Sequence, residues 1–176
     1  MSSIQTNELL LGRADVRIDS DYSSNISDTT QVLSSSKSIG MCQNCTLRED
    51  KNYKDKRVVN ILQPVGKIVT LNRVVVTVSS FKADSANLGL LFGSDGAGGD
   101  LFIGNNSVNY FRVELVFTYP DQASQMVVVI PKAVLFDPES MNLVALDNPT
   151  QVEFSFESMY PNDSAWGKSS ARVLFP

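Results

Sequence analysis

The sequence predicts an all-β domain, and three observations carry that prediction. Apolar and polar residues alternate with period two in NYFRVELVFTY and TQVEFSFESMY, the pattern of strands with one packed and one wet face. Two further runs, LNRVVVTVSSF and QMVVVIPKAVLF, are β-branched and apolar on both faces, so they need cover on both sides, from the same subunit or from a neighbour. Turn-forming clusters separate the runs: SDGAGGD at 94–100, YPDQAS at 119–124, DPESMN at 137–142 and DNPT at 147–150. Short strands punctuated in this way build a β-sandwich or barrel, not a β-α-β fold.

Taken in order, ADVRI at 14–18 reads as the first strand. Residues 19–38 are rich in Ser, Thr and Asp, which predicts a flexible surface loop or a segment that orders only against a partner. Alternation of Ile39, Met41, Cys45 and Leu47 marks a second strand, on which Cys42 and Cys45 should point to opposite faces. A bond between these two thiols is therefore not expected, and they serve as small packing residues. Either could instead meet a neighbouring chain, as a candidate inter-subunit disulfide. The CQNC stretch looks like half of a zinc site, but the chain has no histidine and no second cysteine pair, so no metal or other cofactor is expected.

A mixed-charge run follows at 48–57: Arg48, Glu49, Asp50, Lys51, Lys54, Asp55, Lys56 and Arg57. It reads as a solvated hairpin tip, and its length also fits a projecting hairpin. Val58, Val59 and Ile61 begin a further strand. In DSANLGLLFG, at 84–93, Asp84 or Ser85 can cap a short helix. Leu88, Leu91 and Phe92 then share one face, and Gly93 can end it. Two turns of helix are unstable alone, so this one must pack on the sheets.

Beyond it, Phe111, Val113, Leu115 and Phe117 share one face of a strand, opposite Arg112, Glu114, Val116 and Thr118. Val152, Phe154 and Phe156 likewise oppose Gln151, Glu153, Ser155 and Glu157. The stretch WGKSSARVLFP at 166–176 fits no element of this scheme.

The 176 residues suit one domain, spanning 1–176. A formal charge of −4 disfavours a basic groove for nucleic acid. The sequence shows no basic stretch leading into a long apolar run, and MVVVI is strand-sized, so the expectation is a chain without a cleaved signal or membrane anchor. The sequons at Asn25, Asn44, Asn105 and Asn162 then carry no weight. Without histidine, Ser–His–Asp and Cys–His catalysis within the chain are excluded. A carboxylate enzyme would draw on Asp137, Glu139, Asp147, Glu153 or Glu157, yet no nucleophile or glycine-rich motif accompanies them. A carbohydrate-binding module would need aromatics on one face, and Trp166, Tyr110, Tyr119 and Tyr160 supply a thin set. The expectation is a protein that is not an enzyme.

Several stretches, in this order, resemble the major tail (tail tube) proteins of long-tailed bacteriophages. ELLLGRADVRI looks like the family's opening strand, and IGMCQNCTLREDKNYKDKRVVN looks like its first long hairpin. GKIVTLNRVVVTVSSFKADSANLGLLFG is similar to its strand followed by a short helix, although Ala86 stands where the family has an acidic residue. VVVIPKAVLFDPESMNLVALDNPTQVEFSFESMY looks like its closing meander. The likeness spans most of residues 8–160 and is one of pattern and order.

It implies a β-sandwich subunit with one side helix, six of which close into a homohexameric ring around a continuous inner β-barrel. Rings stack into a virion tail tube, assembled in the host bacterial cytoplasm, that conducts DNA during ejection. Tape-measure and tail-terminator proteins are the implied partners, with a sheath protein where the tail contracts. On this reading the charged run 48–57 mediates ring stacking, and Glu153 and Glu157 line a channel wall that repels DNA.

Overall fold

The computed structural model describes residues 14–56, 66–80, 89–91, 108–119, 124–136 and 152–176. Seven strands account for most of them: β1 (Ala14–Asp19), β2 (Ser38–Lys56), β3 (Gly66–Ser80), β4 (Tyr110–Thr118), β5 (Gln125–Phe136), β6 (Val152–Ser158) and β7 (Arg172–Leu174). The protein is mainly β, and its described strands form one antiparallel sheet in the order β4-β1-β2-β3-β6-β5-β7. β4 also pairs with β5. The succession of pairings from β4 through β1, β2, β3, β6 and β5 therefore returns to its starting strand.

Alternation fixes what lies inside that circuit. Ala14, Val16 and Ile18 of β1, Val76 and Val78 of β3, and Phe154 and Phe156 of β6 join Phe111, Val113, Leu115 and Phe117 in one buried cluster. Phe111 and Phe156 meet edge to face at 6.4 Å, a favoured aromatic geometry. Leu91, in the helical stretch 89–91, belongs to the same cluster and Leu90 packs against it. Within the stretch expected to be helical, residues 89–91 are so, with Leu91 buried. Asp84, Leu88 and Phe92 lie outside the described residues, as do Val58, Val59, Ile61 and the expected turns at 94–100, 137–142 and 147–150. The β4–β5 turn is closed by the Tyr119 N–H, which donates to the Ser124 carbonyl at 3.0 Å.

The doubly apolar strand β5 is covered on both faces, and it carries a β-bulge. Phe111 pairs with Ala133 but Val113 pairs with Ile130, so β5 carries an extra residue there. Pro131 sits in that irregularity, where a missing N–H does least harm to a ladder. Val128 and Ile130 before it and Ala133 after it face the main cluster. Val127 and Val129 face the other way, into a second cluster with Val116, Trp166 and Leu174. The outer cover comes from the same chain.

That cover corrects two expectations. Residues 20–37 are not a free loop: they lie over β4 and β1, with 3₁₀ turns at Tyr22–Asn25 and Ser35–Lys37. Nor is the outer face of β4 wet, because Arg112 and Glu114 are both fully buried. Arg112 donates to the carbonyls of Asn25 (2.7 Å), Asp28 (3.0 Å) and Thr30 (2.7 Å). Glu114 accepts from the N–H groups of Val32 and Leu33, each at 3.0 Å. Unpaired buried backbone groups are costly, and here two side chains satisfy five of them.

From β1, Arg17 donates to the Leu33 carbonyl at 2.8 Å and Asp19 pairs with Lys37 at 3.2 Å. The segment after β6 completes the layer. The Trp166 indole N–H donates to the Ile26 carbonyl at 2.6 Å, Ser27 donates to Asp163 at 3.1 Å, and Arg172 donates to Thr29 at 2.9 Å.

Two corrections concern β2. The charged residues 48–56 are strand, paired residue by residue with β3, so they form a hairpin stem and not its tip; Arg57 lies outside the described residues. Cys42 pairs with Ser80 while Cys45 pairs with Val78, which inserts an extra residue into β2 between them. The bulge reverses the alternation, and both cysteines face the main core instead of opposite faces.

Candidate assembly surface

β2 and β3 run together well beyond the body of the sheet. β1 pairs with β2 only up to Cys42, and β6 pairs with β3 only from Val75 to Ser80. Among the described residues, no further strand flanks Thr46–Lys56 or Gly66–Val74. The result is a two-stranded arm of roughly 30 Å, at about 3.3 Å per residue. Its departure from the body has a local cause. The Val74 N–H, which would continue the ladder toward β6, donates instead to the Ser158 hydroxyl at 2.8 Å.

The arm has two faces, set by register. One continues the core-facing side of the sheet: Leu47 lies opposite Val76, and Tyr53 lies opposite Val69. Here the apolar side chains are not covered, with Leu47 49%, Tyr53 56% and Val69 48% exposed. Lys67 stands over the Tyr53 ring at 5.9 Å, and Lys51 pairs with Glu49 at 2.6 Å. Glu49 raises the Lys51 pKa. Ile68, opposite Lys54 on the other face, is exposed too. A two-stranded ribbon is marginal in water by itself, and apolar residues so exposed along it invite a partner.

The second face carries a ladder of charge. Arg48 pairs with Asp50 at 2.9 Å, Asp50 with Arg73 at 3.2 Å, and Arg73 with Glu157 at 3.2 Å. Arg73 also lies over the Phe136 ring at 5.2 Å. Glu157, ahead of Asp50, raises the Arg73 pKa further. Of the eight charged residues expected to reach a neighbour, Arg48, Glu49, Asp50 and Lys51 thus have partners within their own chain. Lys54, Asp55 and Lys56 are exposed further along the arm.

Glu157 of the expected channel-wall pair sits on this same side of the sheet. Glu157 and Glu153 are opposite Val75 and Ser79 of β3; only the backbone of Glu153 is described. Between them, Ser155 and Thr77 share a hydroxyl–hydroxyl hydrogen bond at 2.8 Å. This face therefore offers hydroxyls and a carboxylate already balanced by an arginine.

Two of the aromatics considered for sugar binding are engaged within the chain. Trp166 is buried with its N–H satisfied, so it cannot stack on a sugar. Tyr110 packs edge to face on Tyr22 at 5.7 Å, with Lys132 4.4 Å from its ring centre. Among the described residues, no three or more acidic or cysteine side chains gather as a metal site would, and no helix is long and apolar enough to cross a membrane.

Sequence reasoning located the charged run but missed the apolar side of the arm. Val69 and Ile68 were readable only as strand interior, because exposure depends on which neighbours stop short. No protein-family profile matches the chain, and no curated protein matches it.

Proposed function

We propose that this protein is a self-assembling structural subunit whose copies join through the β2–β3 arm, in the manner of a tail-tube building block. The observation that carries the reading is the arm itself. It continues the core-facing side of the sheet past the end of the core, with Leu47, Tyr53 and Val69 exposed. Laying this side over another copy extends a core across the boundary between subunits and covers the apolar surface. The charged ladder on the opposite side is satisfied within the chain, so it keeps that side hydrated while the apolar side binds.

The tube reading adds a ring, a continuous inner barrel and a conducting channel. What supports it is the face of β3 and β6 that presents Thr77, Ser155 and an Arg73-balanced Glu157. A wall of hydroxyls and paired charges offers a phosphate backbone little to hold. Partners in this reading are further copies of the chain and the proteins that set and cap tube length, with a sheath where the tail contracts. The chemistry required is passive, and the protein acts in the virion as a conduit, not as an enzyme.

Electron microscopy of the purified protein, with mass measurement in solution over a range of concentrations, tests the reading. Rings or tubes that disappear when Leu47, Tyr53 and Val69 are changed together to lysine are the expected result. A protein that stays monomeric at high concentration would overturn it.

A further inference from the structure

Cys42 and Cys45 occupy the root of the arm. Cys42 is the last β2 residue paired on both sides, with Ala14 of β1 and with Ser80 of β3; Cys45 is paired with β3 alone. The bulge between them therefore lies where β2 loses its β1 neighbour and becomes an edge strand, a few residues before the two-stranded arm begins. In a regular strand, residues three apart lie about 10 Å from each other and on opposite faces. The inserted residue brings both side chains to the core face, where Cys42 is buried and Cys45 packs against the same cluster, half-buried.

We infer that Cys42 and Cys45 are an oxidisable thiol pair that closes to an intrachain disulfide across the bulge at the root of the arm. Three features carry this. The two thiols share one face of the strand and pack against the same core cluster, so the second sulfur is at hand when the first is oxidised. Cys45 is half-buried and gives a small oxidant a way in. Bulges also bend more readily than regular strand, which lets the backbone adjust to the Cα separation of about 4.4–6.8 Å that a disulfide needs. The hydrogen bond from Cys45 holds the Cys42 thiol down at about 7, against the opposing effect of burial, and the Cys45 pKa is correspondingly raised. One of the two sulfurs is thus readily present as the thiolate that reacts.

With hydrogen peroxide as oxidant, the chemistry closes in two steps. The thiolate attacks one peroxide oxygen, the O–O bond breaks, and hydroxide leaves and takes up a proton as water. The resulting sulfenic acid is attacked by the second thiol; the S–S bond forms, the S–O bond breaks and a second water leaves. The sulfurs lose two electrons in all, and one peroxide becomes two waters. Closure within the chain does not depend on protein concentration, unlike a bond to a neighbouring subunit.

The experiment uses the full-length protein, reduced and then treated with hydrogen peroxide at two protein concentrations tenfold apart. Remaining thiols are blocked with N-ethylmaleimide in denaturant, followed by intact-mass and peptide analysis. The expected product is a monomer lighter by two hydrogens, carrying no maleimide, with Cys42 linked to Cys45, formed at the same rate at both concentrations. Dimedone should trap a lasting sulfenic acid on Cys42 in Cys45→Ser and little in the unaltered protein. Retention of two maleimides after oxidation, sulfinic acid on separate cysteines, or a covalent dimer as the main product would each overturn the inference. Because the readout is on the monomer mass in denaturant, it is independent of whether rings or tubes form.

Discussion

Arg112 Nε donates to Glu114 Oε1 at 2.8 Å, and neither side chain reaches solvent. The two residues lie on the outer face of one strand, two apart, where alternation directs them to the same side. A buried ion pair is weak support for stability when its desolvation is uncompensated. Here three further donors of Arg112 and both carboxylate oxygens of Glu114 are spent on the backbone of residues 25–33. The pair works less as a bond between two charges than as a clamp on a polar segment.

Replacing Arg112 with leucine leaves the Glu114 carboxylate buried without its cation and three carbonyls without their donor. The expected loss is about 3–5 kcal/mol, read as a lowered urea midpoint. Protease cleavage within residues 20–37 should appear before global unfolding. Equal midpoints for the two proteins would show that the clamp is dispensable.

Trp166 is the chain's single tryptophan, so its fluorescence reports the outer layer alone. Trp166→Phe keeps the apolar bulk but loses the bond to Ile26, a change of about 1 kcal/mol. Trp166→Ala opens a cavity over Val127 and Val129, and about 3–5 kcal/mol should go. In the unaltered protein, emission should shift to the red in step with release of residues 20–37. A red-shifted spectrum under native conditions would contradict the buried site.

Much of the fold was legible in the sequence because alternation reports packing directly. Phe111, Val113, Leu115 and Phe117 face the core as the pattern requires, as do Phe154 and Phe156. What stayed hidden depends on backbone irregularity or on distant chain. A bulge leaves no mark in the periodicity of so short a stretch, and one inserted residue turned Cys42 and Cys45 from opposite faces to one. Arg112 and Glu114 read as solvent-facing because charge normally means water. Their partners are backbone groups of a Ser- and Asp-rich segment whose composition signals looseness. In the arm, the charges at 48–56 were visible, but the tie of Asp50 to Arg73 was not, since it crosses the ribbon.

The arm yields a further prediction. Leu47→Lys, Tyr53→Lys and Val69→Lys lie on exposed positions and should leave the monomer's stability within about 0.5 kcal/mol of the original. The same changes should abolish association, measured by sedimentation. Loss of folding in the monomer would mean that the arm is covered by its own chain.

Thiol reactivity should follow pH in a distinctive way. The Cys45 hydrogen bond stabilises the Cys42 thiolate, whereas burial and the negative charge of Asp15 oppose it. Reaction of Cys42 with iodoacetamide should therefore rise through about pH 7, below the ordinary thiol range. In Cys45→Ala the donor is gone, and the midpoint should move upward. An unchanged midpoint in that variant would assign the effect to another group.

The bond from Trp166 to Ile26 bridges 140 positions of sequence. On a ribosome, β4 and β5 emerge long before residues 159–174, and the hydrophobic outer side formed by Val116, Val127 and Val129 has nothing to lie beneath it in the interval. Residues 20–37 likewise wait for the anchors supplied by Asp163, Trp166 and Arg172. Until those residues are in place, the apolar outer side of β4 and β5 is open, and such exposed surface favours aggregation and chaperone capture. Completion of the outer layer thus depends on residues 159–174, which carry Asp163, Trp166 and Arg172.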